Sequence, residues 1–91
     1  MQVQYDILIK GRVQGVGFRM YAQKQANDYN ITGWVKNMPD ESVRVLACGD
    51  EADMKMFLDA LNSGPPMSNV SEFIKSRIPN PESFIGFKIK Y

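Results

Sequence analysis

The apolar period of this chain switches from that of a strand to that of a helix across nine residues, and the switch limits the folds open to it. Val3, Tyr5, Ile7 and Ile9 alternate with Gln4, Asp6 and Lys10, the period-two pattern of a half-buried strand that Leu8 alone interrupts. From Phe18 the apolar positions are Phe18, Tyr21, Ala22, Ala26 and Tyr29, the i, i+3, i+4 stripe of an amphipathic helix. Asn30 fits as its stop, since asparagine tolerates the left-handed conformation a helix end requires. Between the two patterns lies GRVQGVGFR, Gly11 to Arg19.

The remaining elements follow from the same signals. Ile31 to Asn37 reads as a second strand, Met38-Pro39-Asp40-Glu41 as a turn, and Ser42 to Cys48 as a third strand forming a hairpin with the second. Gly49-Asp50 opens a second helix, with Asp50 as its N-cap, Asp53 in its first turn and Met54, Phe57, Leu58 and Leu61 as its buried stripe. Gly64-Pro65-Pro66 stops that helix. Val70 to Arg77 is a fourth strand, residues 78–85 a loop, and Gly86 to Tyr91 a short last strand.

The resulting order, β-α-β-β-α-β, is that of a ferredoxin-like α+β sandwich: an antiparallel sheet, two helices on one face, and a short C-terminal strand. Strand three would lie between strands one and two, which therefore run parallel and end at the same edge of the sheet. That topology brings the glycine-rich bend and Asn37 together although they are far apart in sequence.

Composition narrows the chemistry. With 91 residues, 44% of them hydrophobic, the chain is one domain with a modest core. Its net charge of +1 disfavours partners held mainly by charge, such as duplex nucleic acid or an anionic membrane. Trp34 and the tyrosines lack the basic surplus and strand pattern of an RNA-binding domain. Cys48 is the single cysteine, so no internal disulfide or CxxC site exists, and it reads as a small buried apolar side chain. The absence of a leader or a long apolar run suggests a soluble cytoplasmic protein. There is no histidine, which removes Ser-His and Cys-His nucleophiles and most zinc sites.

The bend itself is neither a P-loop nor a dinucleotide fingerprint, since Phe18 and Met20 stand where those motifs need other residues. Gly15 and Gly17 before a helix can form an anion-binding nest of backbone N–H groups, with Arg19 as a planar fork of donors. They can equally make a tight turn beside a solvated arginine. Asn37, likewise, is either a turn residue or a polar group placed for chemistry.

GRVQGVGFR followed by GWVKN resembles the two signatures of the acylphosphatase family, in order and at the expected separation. The similarity runs through nearly the whole chain as a single domain over residues 1–91, including SGPPMSNV after the second helix. The resemblance implies a ferredoxin-like enzyme that hydrolyses the mixed anhydride of a carboxylic acid and phosphate without metal or cofactor. By its motif, Arg19 binds the phosphoryl group with the backbone amides of Gln14, Gly15, Val16, Gly17 and Phe18, and Asn37 holds the attacking water. The implied partner is a small acyl phosphate, and nothing demands more than a monomer.

One position departs from the pattern. The family usually has glycine after the hairpin aspartate, and this chain has Glu41. A strained turn could move the end of the second strand and Asn37 with it. It could also leave a cradle that binds phosphate as a regulatory module without turnover. Asp6, Asp40 and Glu41 read as surface charge, because a phosphate site repels carboxylates. Arg12 has no role assigned by this reasoning.

Overall fold

One central strand, paired antiparallel on both sides, organises the molecule. The computed structural model describes residues 1–91. Its elements are β1 (Gln2–Arg12), α1 (Phe18–Asp28), β2 (Thr32–Asn37), β3 (Val43–Asp50), α2 (Glu51–Ser63), β4 (Asn69–Arg77) and β5 (Phe87–Lys90). The strands form a single sheet in the order β4-β1-β3-β2-β5. β3 pairs antiparallel with β1, from Gln2 opposite Asp50 to Ile9 opposite Val43, and with β2, from Thr32 opposite Cys48 to Asn37 opposite Val43. β1 and β2 therefore run parallel, and the ferredoxin-like arrangement expected from the apolar periods is present.

The sheet is mixed rather than wholly antiparallel, because β5 runs parallel to β2, with Gly33 opposite Phe87 and Lys36 opposite Lys90. The route of the chain explains this. β4 runs antiparallel to β1 on one edge, so it ends beside the start of β1, where Ile78 N–H donates to the Gln4 carbonyl. The following loop crosses the sheet: Glu82 N–H donates to Gln4 Oε1 at 2.6 Å, and the Cys48 thiol donates to the Glu82 carbonyl at 3.4 Å. The chain thus reaches the far edge at the start of β2 and can only run alongside it. This crossing also explains a fully buried Gln4, whose polar side chain is satisfied by the loop. Cys48 lies buried beside the same loop, and desolvation, with Glu82 nearby, raises its thiol pKa. It stays a protonated packing residue at neutral pH.

The helix ends follow local chemistry. Asn30 adopts φ 58 and Ile31 N–H donates to the Ala26 carbonyl at 2.8 Å, the long bond of a Schellman ending. Asp50 caps α2 by accepting from Ala52 N–H. Both helices pack into one core with Val3, Ile7 and Ile9 of β1, Val35 of β2 and Val43, Val45 and Ala47 of β3. At its centre the fully buried Phe57 meets Phe87 edge to face, ring centroids 5.9 Å apart. Phe57→Ala should therefore cost about 3–5 kcal/mol, measured by urea denaturation, whereas a loss under about 1 kcal/mol would mean the core is not closed around this ring.

Candidate active site

β1, β2 and β5 all point to one end of the sheet, and a pocket of about 170 Å³ opens there. Val13, Gly15, Gly17, Phe18, Arg19 and Met20 line it from the bend and the first turn of α1. Asn37 enters from the end of β2, and Ile89 and Tyr91 come from β5 and the residue beyond it. Topology alone has gathered them.

The glycines of the bend serve separate purposes. Gly11 lies at the register shift between β1 and β4 with φ 123, where a Cβ would stand 2.1 Å from the Asn69 carbonyl oxygen. It is a packing glycine. Gly15 (φ 72) and Gly17 (φ 78) are left-handed, and a Cβ on either would meet nothing within 4 Å. With Val16 and Phe18 outside the positive-φ set, φ alternates in sign from Gly15 to Phe18, the backbone pattern of an N–H nest.

Gly17 is also the N-cap of α1, which has no side-chain cap and no acidic residue in its first turn. The first intrahelical bond runs from Tyr21 N–H to the Gly17 carbonyl at 3.0 Å, so the amides of Phe18, Arg19 and Met20 have no helical acceptor. The helix dipole adds positive potential at the same point. Open space, free amides and left-handed glycines are the makings of an anion cradle.

Arg19, the second residue of α1, takes part in none of the protein's three ion pairs. Its planar guanidinium lies over the ring of Tyr91 at 4.7 Å, leaving its edge donors free for an anion. Tyr91 is the residue that sequence reasoning missed. Its alternation with Phe87 and Ile89 was visible, but its meeting with Arg19 depends on β5 running parallel to β2.

Asn37 shares the helix-covered face of β2 with the fully buried Val35, two residues earlier. Its Oδ1 is buried and has no hydrogen-bond partner, a costly state for an amide oxygen unless something else donates to it. Of the other expected anion-binding residues, Gly15, Gly17 and Phe18 line the pocket with Arg19, while Gln14 and Val16 do not. Val16 packs against the core. Gln14 turns its side chain to the hairpin, with Nε2 donating to the Met38 and Ser42 carbonyls at 2.8 and 2.9 Å. Only their backbone amides remain for a ligand.

The hairpin turn keeps a positive φ at Glu41, 72°, which for a non-glycine residue costs on the order of 1–2 kcal/mol. It is held by Met38 N–H to the Ser42 carbonyl at 2.8 Å and Glu41 N–H to the Met38 carbonyl at 3.1 Å. Asp40 accepts from the Ser42 hydroxyl and from Ser42 N–H at 3.1 Å, and these bonds hold its carboxyl below the usual aspartate range. Since the folded carboxyl titrates below its unfolded value, its contribution is full above the ordinary aspartate pKa. It is lost as pH falls through the lowered one. Glu41 lines a separate hollow with Lys10, Gly11, Asp40 and Ser42 and does not enter the Arg19 pocket. The strain is therefore absorbed in the turn, and Asn37 still reaches the pocket. The largest hollow, about 700 Å³, lies at the start of β1 beside α2 and carries charges of both signs, including Asp50, Glu51, Lys55 and Lys75.

The family model described as Acylphosphatase matches residues 5–89. The chain is 40% identical over 89 residues to an acylphosphatase of Bacillus licheniformis, covering 98% of this chain and 99% of that one. It is 42% identical over 91 residues to an acylphosphatase of Clostridium acetobutylicum, covering both chains in full. The crystal structure of acylphosphatase from Bacillus subtilis superposes with a TM-score of 0.95 at 39% identity, over 98% of this chain and 99% of that one.

The strained turn makes a direct prediction. Glu41→Gly removes the left-handed penalty but adds unfolded-state entropy of about 0.4–1 kcal/mol, so the variant should be more stable by about 1 kcal/mol in urea denaturation. A destabilised Glu41→Gly would show that the side chain of Glu41 makes a compensating interaction.

Proposed function

The chain belongs to the acylphosphatase family, and from that premise we propose that it cleaves acyl phosphates by direct attack of a water held by Asn37. In this reading, Arg19 and the backbone amides from Gln14 to Phe18 hold the phosphoryl group. The observation that carries the proposal is the unpartnered, buried Oδ1 of Asn37 in the wall of the pocket that Arg19, Gly15 and Gly17 also line. A water in that pocket can donate one O–H to Asn37 Oδ1 and turn a lone pair toward phosphorus.

The reaction needs little else. A bond forms between the water oxygen and phosphorus while the bond from phosphorus to the acyl oxygen breaks, and the electron pair leaves with the carboxylate. That leaving group has a conjugate acid of pKa about 4, so no general acid is required and the absence of histidine is no obstacle. One proton of the water passes to a phosphoryl oxygen and leaves with inorganic phosphate. Phosphoryl transfer depends chiefly on positioning and on stabilising charge across the phosphoryl oxygens. Arg19 and the amides supply the charge, with each charge-assisted hydrogen bond contributing roughly 1.5–3 kcal/mol. Asn37 supplies position without acting as a base.

The pocket bounds the substrate end but not the acyl end. About 170 Å³ is room for a phosphoryl group and its attacking water, so the acyl part must extend past the exposed rim formed by Met20 and Tyr91. Small acyl phosphates of different acids would present the same end to Arg19.

Phosphate release from an aromatic acyl phosphate tests the proposal. Arg19→Ala should lower turnover by roughly 10²–10³, and Asn37→Ala should lower kcat by about 10² through lost positioning. Wild-type activity should survive a chelator, because the protein's own donors supply the charge term. A folded Asn37→Ala variant with unchanged kcat would remove Asn37 from the mechanism.

A further inference from the structure

Gln14 lies in the cradle loop, yet its side chain reaches across to the hairpin that follows Asn37. Its Nε2 donates to the Met38 carbonyl at 2.8 Å and the Ser42 carbonyl at 2.9 Å. Two carbonyls can be met only by the NH₂ end of an amide, so the partners fix its orientation. The same carbonyls close the turn from within, accepting from Glu41 N–H and Met38 N–H respectively. We propose that Gln14 is a positioning residue for the reaction: its carboxamide clamps the 38–42 turn to the cradle loop and so fixes Asn37 relative to the phosphoryl group. The inference rests on the reading of Asn37 given above.

Three features give the clamp this consequence. Asn37 is the last ladder-paired residue of β2, opposite Val43, so beyond it the only backbone bonds on the turn are its own two, Met38 N–H to Ser42 and Glu41 N–H to Met38. The turn contains Glu41 at φ 72 and is not at its own backbone minimum, so an outside tether resists relaxation to another turn type. The tether begins one residue before Gly15, the first left-handed glycine of the cradle. Movement of either element is thereby passed to the other.

The clamp is separable from folding. Without it, the Met38 and Ser42 carbonyls each keep a backbone donor, so neither becomes an unsatisfied acceptor. Gln14→Met keeps the length of the side chain and removes both donors, leaving the cradle amides in place.

The experiment is a double-mutant cycle over wild type, Gln14→Met, Asn37→Ala and the pair. It reads kcat and KM for an aromatic acyl phosphate, the inhibition constant of inorganic phosphate, and the thermal midpoint. Gln14→Met should lower kcat about 10- to 100-fold, the range for a misplaced reacting group. Phosphate inhibition should change by less than about threefold, and the substitution should have almost no further effect on kcat in the Asn37→Ala background, because the two residues act as one unit. Gln14→Met with full kcat beside an impaired Asn37→Ala overturns the clamp and leaves the reading of Asn37 intact. Losses that multiply in the pair, or a loss of phosphate affinity in place of kcat, also overturn it. An Asn37→Ala variant with undiminished kcat removes the underlying reading, and the clamp with it.

Discussion

Val43 is paired with Ile9 on one side and with Asn37 on the other, and the position of the site depends on this double registration. Ile9 and Val43 are fully buried, so their pairing is held by the core. A slip of one residue in either ladder would carry a whole row of apolar side chains to the wrong face. Asn37 is thus fixed two strand spacings from Ile9, roughly 9–10 Å across the sheet, and on the helix-covered face. The bend that follows β1 emerges at the same end and has to turn over that face to begin α1. The apolar core, formed from residues with no chemistry of their own, determines which polar groups can meet.

At that meeting place the electrostatics are arranged with little ornament. The glycines leave open space beside left-handed backbone, the uncapped helix start adds its dipole, and Arg19 is free of any ion pair. The guanidinium rests on Tyr91 rather than on a carboxylate. An aromatic face limits its motion without neutralising it, and such a contact at an exposed site is worth about 0.5–1 kcal/mol. Carboxylates near the hairpin face elsewhere: Asp40 is occupied by Ser42, and Asp6 by Arg44. Anion binding therefore requires no existing salt bridge to break.

Much of this could be read from the residues, because the signals were local. The change of apolar period marked β1 and α1, Asn30 and Asp50 acted at the helix ends as their chemistry suggests, and the order of elements implied that β1 and β2 are parallel. Local signals left Arg19 and Asn37 open between structural and chemical roles; the resemblance of GRVQGVGFR and GWVKN to the family's signatures singles them out, and both line one pocket. What the sequence could not show depended on partners distant along the chain. Four residues of β5 could pair with either sheet edge, and only the crossing of the loop past Gln4 and Cys48 determines the parallel pairing that delivers Tyr91. Gln14 carries no mark of where its amide will point. Gly11 looked like Gly15 and Gly17 until β4 was in place, and it then proved to be crowded where they are open.

The central claim is that one anion cradle, built from Gln14 to Arg19, holds the phosphoryl group at the end of the parallel strands. Titration of the ¹⁵N-labelled protein with inorganic phosphate, followed by NMR, tests it most directly. The account predicts saturable shifts in the backbone amides of Gln14, Gly15, Val16, Gly17, Phe18 and Arg19, in the Arg19 side chain and in the Asn37 carboxamide. Residues around Tyr5 and Lys75, beside the larger hollow at the other end of β1, should stay still. Saturable shifts centred on that hollow, with the bend unmoved, would contradict it.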